Sequence, residues 1–395
     1  FKLEKDVIDA EIDIIKAMGV EIKCGIEVGK DVTLDELRAQ GYKAFYIAIG
    51  CQGGRKAGIP GEDAEGVMTA VDFLRTVGAD ESYPVTGKAV VVGGGNVAID
   101  VARTAQRCGA ESVAMFCLEP RDKMPASEEE IAEALEEDVT IDCGWGPKKI
   151  LTENGRVTGI VFKRCVSVWD KDGKFAPAYD ENDTKTVPCD RVFLSIGQSI
   201  LWGDLLKGSK VELGRGNGAV ADSLTYQTAE PDIFVGGDVY TGPKFAIDAI
   251  AAGREGAISI HRFVQPHSSL TIGRNRREFI ALDKDNIKVE QYDNASRQIP
   301  GTRKDVDHKK SFRDAKLPFT EEQVKAETAR CLGCGASVVD PNKCIGCGVC
   351  TTKCEFGAIK LHRERPECSN MIPSEKKLPY VLGNGAKQAL KIKFS

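Results

Sequence analysis

Apolar and polar residues alternate with two different periods along the first fifty residues. Residues 4–18 place apolar side chains three or four positions apart, which predicts an amphipathic helix ending at Gly19. Residues 20–24 alternate apolar and polar, which predicts a strand. Thr33 with Glu36 forms a capping box for a short helix, and residues 45–50 form an apolar run typical of a buried strand that ends in glycine.

A second unit begins at Lys88 with the order strand, glycine turn and helix. Residues 89–92 are apolar, residues 93–95 are glycines, and residues 96–102 have the pattern of an amphipathic helix. A further strand is predicted over residues 112–117. An acidic helix capped by Ser127 follows it.

The glycine turn has the spacing of a dinucleotide site, G-x-G-x-x-A. Its glycines allow a tight turn and close approach of the backbone, and the helix N-terminus presents free amide groups to a pyrophosphate. The predicted nucleotide contacts are Gly93, Gly94, Gly95, Asn96, Val97 and Ala98. The alternative is a tight turn without a ligand, which three consecutive glycines would weaken for no gain.

The strand over residues 112–117 is followed by Leu118 and Glu119, where an adenosine ribose would lie in this architecture. A carboxylate accepts hydrogen bonds from a free 2'-hydroxyl and repels a 2'-phosphate. Glu119 therefore favours NAD(H) over NADP(H), although it lies somewhat beyond the usual offset from the turn. The alternative is a solvated surface glutamate.

The later part of the chain predicts a hairpin, a returning strand and a second strand-to-helix turn. Residues 157–169 and 174–179 alternate around Asp172-Gly173, as expected of a hairpin on the nicotinamide domain. Residues 191–197 predict a strand that returns to the first domain. Residues 233–235 lead through Gly236 and Gly237 to Asp238. Residues 244–263 predict a helix with small apolar residues on one face, namely Ala246, Ile250, Gly253 and Ala257.

The run Cys344, Cys347, Cys350, Cys354 has the spacing with which a short loop binds an iron-sulfur cluster. Cys344, Cys347 and Cys350 are predicted to share one [4Fe-4S] cluster, whose fourth ligand is Cys354 or Cys368. Two further cysteines, Cys331 and Cys334, form a second cluster or a zinc site with His362 and Cys368. One cluster, two clusters and one cluster plus zinc all stay open. Glu355 stands where proline usually follows the fourth cysteine.

Composition excludes several classes of partner. The 395 residues are 42% hydrophobic and 29% charged with a net charge of −5, which gives no basic surface for nucleic acid and no segment for membrane insertion. Seven of the fourteen cysteines are scattered singly and are interpreted as buried free thiols, with Cys51 and Cys143 the exceptions to expect near cofactor loops. Free thiols and cluster ligands together indicate a reducing cytoplasm.

The ordered motifs resemble one known family. Gly93 to Arg103, the segment Met124 to Ser127 and the later Gly236-Gly237-Asp238 are similar to the small subunit of glutamate synthase and its relatives, including flavin subunits of electron-bifurcating transhydrogenases. The resemblance implies an α/β protein with two nested Rossmann-like nucleotide-binding domains, for FAD and for NAD, plus a small C-terminal iron-sulfur module. Paired arginines of NADP-using relatives would fall at Leu118 and Glu119, where this chain departs from the pattern.

The resemblance also implies a flavin site and a domain order. In the family the acid at Asp238 holds the FAD ribityl chain, and the helix after it points its N-terminus at the flavin ring. The flavin contacts that follow are Gly50, Gly197, Gly237, Asp238, Lys244, Phe245 and Ala246. The expected domains are part of the FAD-binding domain (1–80), an inserted NAD-binding domain (81–191), the FAD-binding return (192–264), a connector (265–330), the iron-sulfur module (331–370) and a tail (371–395).

The first glycine-rich turn of the family, which binds the FAD pyrophosphate, does not precede Phe1, so a longer native chain is expected to supply it. The predicted function is a flavin-dependent NAD(P)H oxidoreductase subunit that passes electrons between NADH, FAD and 4Fe-4S clusters in a larger complex. Ferredoxin is one candidate partner. The alternatives are an NADPH-linked glutamate synthase small subunit, a subunit of a bifurcating transhydrogenase, hydrogenase or formate dehydrogenase, and a non-catalytic scaffold. Disulfide reduction is not expected, since no Cys-x-x-Cys pair precedes Cys331.

Overall fold

The structure is a computed structural model that describes residues 3–274, 295–331, 344, 346–353, 359–362 and 373–394. The chain divides into two units, residues 1–291 with 296–324 and residues 292–295 with 325–395. The helices are α1 (Lys5–Ala17), α2 (Leu34–Ala39), α3 (Ala70–Ala79), α4 (Asn96–Arg107), α5 (Glu128–Glu136), α6 (Asp238–Thr241), α7 (Ala246–Val264), α8 (Glu321–Ala329), α9 (Val349–Lys353) and α10 (Leu378–Phe394).

The strands found among the described residues all belong to the first unit. They are β1 (Phe45–Ile47), β2 (Gly53–Gly54), β3 (Val67–Thr69), β4 (Lys88–Val92), β5 (Ser112–Cys117), β6 (Thr140–Cys143), β7 (Trp145–Glu153), β8 (Arg156–Trp169), β9 (Phe175–Pro188), β10 (Arg191–Leu194), β11 (Gln198–Ser199) and β12 (Ile233–Val235).

A parallel sheet of order β3-β10-β4-β5-β6 forms the centre of the five-stranded region, residues 67–194. Its inner strands β10, β4 and β5 are mainly apolar because both faces of the sheet are covered, as parallel sheets require. Alternate residues of β4 therefore enter different cores. Val91 packs with α3, α4 and α5, whereas Val90 and Val92 pack with the antiparallel sheet β7-β8-β9. The result is three layers, helices on one face and a small sheet on the other.

The two-stranded region comprises residues 3–50 and 200–264, where β1 and β12 pair in parallel. The helix α7 buries only Ala252, Gly256 and Ser259, and a side chain at Gly256 would collide with the ring of Tyr46 on β1. The short antiparallel pair β2 and β11 links this region to the five-stranded region.

Residues 302–316 of the predicted connector lie on the five-stranded region. Thr302 pairs with Lys316 in an antiparallel bridge, and Phe312 packs against the core formed by α3, α4 and α5. The main-chain oxygen of Ser311 accepts a hydrogen bond from Arg107 Nε on α4 at 3.0 Å. Residues 302–316 thus form a hairpin that packs on the five-stranded region.

Several predicted elements are present and others are wrong. The helix over 4–18, the Thr33 capping box, the strand at 112–117 and the hairpin form as expected. Residues 20–24 are not a strand, because no described segment pairs with them. The strand over 191–194 does not return to the first domain, since it pairs with β3 and β4.

The predicted apolar face of α7 was also wrong. Sequence periodicity selected Ala246, Ile250, Gly253 and Ala257, but the buried face is the one that meets Tyr46 and β12. Ile250 is 67% exposed. The close approach of Gly256 to Tyr46 decides which face of α7 is buried, whereas the number of apolar residues on a face does not.

The second unit contains most of α8, then α9 and α10. Residues 378–394 of the expected tail form a helix. Apolar side chains of α10 such as Val381 and Leu382 are exposed. Among the described residues, no helix combines the length and apolar character that crossing a membrane would need.

Candidate functional site: a nucleotide cavity, a partial flavin site and a cysteine loop

The glycine turn joins β4 to α4, and its glycines have different structural roles. Gly93 has φ +145°, and a Cβ on it would collide with the carbonyl oxygen of Ser195. Gly95, the N-cap of α4, has no atom within 4 Å of a Cβ placed on it. Ala98 is completely buried. The first glycine thus makes the turn, the second leaves room for a ligand, and the alanine lets the helix pack on the sheet, as the dinucleotide motif requires.

The segment before α5 is tied to this turn. The Asn96 side-chain oxygen accepts a hydrogen bond from the Ser127 amide at 2.9 Å, and the Gly94 carbonyl accepts one from the Ala126 amide at 3.0 Å. The first hydrogen bond inside α4 is donated by Ala98 to Gly95. The amides of Asn96 and Val97 therefore come before the hydrogen-bonded turns, where helix N-termini bind anions.

A cavity of 550 Å³ opens at the carboxyl ends of β4 and β5. The glycine turn, Leu118 and Glu119 line it. Glu119 Oε2 lies 3.1 Å from the position of a Cβ on Gly94, so the carboxylate lies against the turn. The structure therefore brings together the turn and the strand end that the sequence proposed separately.

Other walls of the cavity were missed by the sequence analysis. The segment after β2 contributes Lys56. The antiparallel sheet β7-β8-β9 contributes Trp145, Lys163, Phe175 and Tyr179. Lys163 lies 4.2 Å from the centre of the Tyr179 ring and pairs with Glu181 at 2.6 Å. The alternation of β8 indicated which side chains share a face. It did not indicate that this face covers the carboxyl end of β5.

The scattered cysteines differ from one another in environment. Cys189 is buried as predicted and Cys108 is half-buried, and burial raises the pKa of these thiols to about 12 and about 11. Cys24 is exposed, because the predicted strand around it does not form. Cys143 lies behind the nucleotide cavity with its Sγ 3.6 Å from Cys117 Sγ. The Sγ of Cys51 lies 4.0 Å from the Asp238 carbonyl oxygen.

The predicted flavin contacts lie at the carboxyl ends of β1 and β12. Gly50 and Gly237 have φ near +65° and +66°, a backbone region that favours glycine. Asp238 Oδ1 accepts a hydrogen bond from the Lys244 amide at 3.2 Å. This bond holds the acid beside the start of α7, where Phe245 is 71% exposed and Ala246 is also exposed.

One predicted flavin contact lies elsewhere. Gly197 is in the link between the two regions, and its carbonyl accepts a hydrogen bond from the Arg55 amide at 3.1 Å. Its φ of +115° explains the glycine. The sheet edge at Asp238 therefore offers a carboxylate, two glycines with positive φ and an exposed helix N-terminus. These features fit part of a dinucleotide such as FAD.

Four of the seven predicted metal ligands are described. Cys331, Cys344 and Cys347 are exposed and Cys350 is half-buried, at the start of α9. Gly346 and Gly348, on either side of Cys347, have φ of +67° and +79°, so glycines allow this loop to turn tightly around the central thiol. Cys334, Cys354 and Cys368 lie outside the described residues. Within the described part of the chain, no three His, Cys, Asp or Glu side chains converge on one metal position.

These features define a class of protein. A parallel sheet with a dinucleotide turn, a second strand-to-acid edge and a cysteine run define an iron-sulfur flavoprotein of the nicotinamide nucleotide oxidoreductases. The chain belongs to the pyridine nucleotide-disulphide oxidoreductase family, whose profile matches residues 4–253. A 4Fe-4S binding domain profile matches residues 337–360, which include Cys344 to Cys354.

Curated relatives agree with the family. The chain is 32% identical over 346 residues to the NADP(+)-dependent formate dehydrogenase subunit beta of Moorella thermoacetica, covering 85% of this chain and 48% of that protein. It is 34% identical to the NAD-dependent dihydropyrimidine dehydrogenase subunit PreT of Escherichia coli O157:H7, covering 67% and 58%. It is 33% identical to the glutamate synthase [NADPH] small chain of Escherichia coli K12, covering 67% and 59%.

The comparisons confirm the resemblance, the α/β nucleotide-binding fold and the cofactor classes FAD, pyridine nucleotide and 4Fe-4S. The chain spans about half the length of the curated relatives it matches. The names of the relatives include both NAD and NADP. The nucleotide preference, the individual site residues, the domain limits and zinc therefore stay predictions.

Proposed function

We propose that this chain is the flavin-dependent NADH oxidoreductase part of an iron-sulfur electron-transfer complex. The observation that carries the proposal is the open Gly95 at the start of α4, facing a cavity that also contains Glu119. When bound, FAD would exchange a hydride with the nicotinamide and single electrons with a 4Fe-4S cluster. The residues of this chain bind and orient these groups.

At the nucleotide cavity, Gly93 makes the turn and Gly95 leaves the backbone accessible to a pyrophosphate. The first amides of α4 donate to that anion, and the partial positive charge of the helix N-terminus adds to the attraction. The Glu119 carboxylate accepts from the ribose hydroxyls. We expect it to disfavour NADP(H), because Lys56 and Lys163 are already paired with Asp63 and Glu181.

At the Asp238 edge, the acid would bind the ribityl chain of FAD, with Gly50 and Gly237 allowing close approach. The exposed N-terminus of α7, with Lys244, Phe245 and Ala246, would lie at the flavin ring, where its amides favour electron-rich flavin. The exposed aromatic ring of Phe245 is a surface that a flat cofactor can cover.

The cysteine loop would hold a [4Fe-4S] cluster through Cys344, Cys347 and Cys350, with Cys354 inside the matched 4Fe-4S segment as the favoured fourth ligand. Cys331, Cys334 and Cys368 would bind a second cluster or zinc. Because the relatives are named as subunits, we propose partner subunits that accept or supply electrons, and a reducing cytoplasm as the compartment.

The decisive experiment is anaerobic metal and flavin analysis of the native complex, with absorbance spectra before and after NADH. About four or eight iron atoms per chain with FAD that NADH bleaches would support the proposal, since each cluster holds four. Four iron with one zinc would select the mixed site. Flavin that stays oxidised with NADH and with NADPH would contradict the proposal and favour the scaffold alternative.

Nucleotide preference is tested by Glu119→Arg. We expect the ratio of NADH to NADPH affinity to fall by about tenfold or more, because a cation replaces the carboxylate at the ribose. Glu153→Arg makes the same charge change at the exposed end of β7 and serves as the control. An unchanged ratio in the Glu119 variant would mean that this glutamate does not read the ribose.

A further inference from the structure

Two cysteines from different parts of the sequence meet behind the nucleotide cavity. Cys117 ends β5 and Cys143 ends β6, and the two are direct partners in the parallel register. Their sulfur atoms are 3.6 Å apart, and Met124 Sδ lies 3.8 Å from Cys143 Sγ. The two thiols are not a Cys-x-x-Cys motif, since they are separated by 26 residues. Tertiary structure alone places them together.

The backbone geometry at this pair suits a disulfide. Neighbouring strands lie about 4.7–4.9 Å apart, which is inside the Cα separation of about 4.4–6.8 Å that disulfides span. The sulfur atoms must approach to about 2.05 Å. Because the present separation is already 3.6 Å, side-chain rotation supplies most of the remaining approach without separating the strands.

We propose that Cys117 and Cys143 are a modification site, a thiol pair that hydroperoxides convert reversibly to a disulfide and that thereby weakens nucleotide binding. The proposed effect on binding rests on the proposed function of the cavity. The formation of the bond rests on the geometry of the two thiols.

The two thiols have different tasks in the reaction. Cys117 is buried, and burial together with the neighbouring Cys143 raises the pKa of its thiol, so it is the protonated partner that donates toward Cys143. Cys143 is half-buried and lines a second cavity of 440 Å³ with Arg121 and Arg164. The peroxide therefore reaches Cys143 first, on a side with two cationic groups.

The chemistry balances with the hydroperoxide as oxidant. The Cys143 sulfur attacks a peroxide oxygen, the O–O bond breaks and, with hydrogen peroxide, one water leaves to give a sulfenic acid. The Cys117 sulfur then attacks the Cys143 sulfur, the S–O bond breaks and a second water leaves with the proton of Cys117. Two thiols are oxidised and one peroxide is reduced. A dithiol reductant restores both thiols by exchange.

The same thiol supports the nucleotide site. Cys117 Cβ and Sγ lie 2.8 and 3.4 Å from the position of a Cβ on Gly94, so the side chain packs directly beneath the glycine turn. Cys117 Sγ also lies 3.5 Å from the Glu119 carbonyl oxygen. Closing the sulfur–sulfur distance from 3.6 Å to about 2.05 Å draws Cys117 Sγ toward Cys143, and the oxidised sulfur no longer carries a proton to donate to the Glu119 carbonyl. The disulfide therefore alters the two features that are proposed to hold the pyrophosphate and the ribose.

The test treats the full chain with a stoichiometric amount of hydrogen peroxide, maps non-reduced peptides by mass spectrometry and measures NADH affinity by calorimetry. We expect a peptide joining Cys117 to Cys143, an affinity lowered by about tenfold, equivalent to 1.4 kcal/mol, and recovery with dithiothreitol. Cys143→Ser should abolish the joined peptide and keep its NADH affinity after peroxide. Cys165→Ser, which removes another half-buried thiol of the same 440 Å³ cavity, should behave as the parent.

Three results would overturn the inference. These are absence of the joined peptide, a joined peptide with unchanged NADH affinity, and an equal loss of affinity in Cys143→Ser, which would assign the effect to other oxidation. A reduced protein that fails to bind NADH before peroxide is added contradicts the proposed function instead. The peptide map reports the disulfide independently of that result.

Discussion

The five-stranded and two-stranded regions differ in how completely their helices are buried. In the five-stranded region, α4 buries eight residues against a sheet that is covered on both faces. In the two-stranded region, α1 buries none, and α7 leaves Ile247 and Ile250 about two-thirds exposed. Both regions carry a left-handed glycine next to a helix N-terminus. The turn chemistry is thus local, whereas the covering of the helices depends on the extent of the sheet.

The five-stranded region also contains a buried network of ion pairs. Arg103 and Arg107 of α4 are buried and share the Glu137 carboxylate through four hydrogen bonds of 2.6–3.1 Å. Burial opposes the charge of Glu137, but the bonds from Arg107 and Arg103 outweigh it and lower the pKa of this carboxyl. The same Arg107 holds the 302–316 hairpin through Ser311. The buried ion-pair network of the five-stranded region is therefore connected, through Arg107, to the 302–316 hairpin.

The largest effect is expected from Glu137→Ala. Removing the shared carboxylate should lower the free energy of unfolding by about 3–5 kcal/mol, because two buried guanidinium groups lose it at once. Denaturant unfolding measures this change. Glu65→Ala breaks an ion pair with Arg156 whose side chains are 63% and 69% exposed, and should leave the transition midpoint unchanged. Equal losses in both variants would mean that the buried network adds nothing.

The same substitution in two helices compares the regions directly. Ile99→Ala on α4 should cost about 2–5 kcal/mol, since this side chain is fully buried. Ile250→Ala on α7 should cost less than about 0.5 kcal/mol in the chain described here. Thermal unfolding of both variants decides the point. A large cost for Ile250→Ala would show that another surface or a cofactor covers α7 in solution, and retention of FAD by that variant identifies which.

Substitutions at two glycines of the same turn should separate an effect on stability from an effect on nucleotide binding. Gly93→Ala should lower the free energy of unfolding by about 1–3 kcal/mol, because its backbone conformation and the Ser195 carbonyl exclude a Cβ. Gly95→Ala should keep its stability but reduce NADH affinity by about tenfold or more, because its open side is where a pyrophosphate would approach. Unfolding and calorimetry give the two readouts. Unchanged affinity in Gly95→Ala would remove the pyrophosphate from this turn.

The smallest expected effect is on acid stability. The folded state lowers the pKa of Glu133 and Glu137 below their unfolded values. Their contribution is therefore complete above the unfolded pKa near 4.5 and is lost as pH falls through the lowered folded values. Unfolding between pH 6 and pH 3, estimated as about the range in which carboxylates titrate, should show a steeper fall for the parent than for Glu137→Gln. Parallel slopes would contradict the assignment.

Local motifs could be identified from the sequence because they act over a few residues. The glycine turn, the Thr33 capping box, the Ser127 cap and the cysteine loop each follow from backbone geometry or ligand spacing within a dozen positions. The strand at 20–24 failed because a strand needs a neighbour that alternation does not supply. The burial of α7 failed because Tyr46, two hundred residues away, selects the face.

The sequence by itself determined the glycine turn and the presence of an iron-sulfur module, since residue types at short spacings specify both, and the resemblance of its ordered motifs to a known family implied the class of fold. Only the tertiary structure decided that β10 completes the central sheet, that Lys163 and Tyr179 line the cavity beside the glycine turn, and that Cys117 meets Cys143. Each of these depends on which strands become neighbours. Strand pairing is set by long-range packing of the two cores, which no short window of sequence contains.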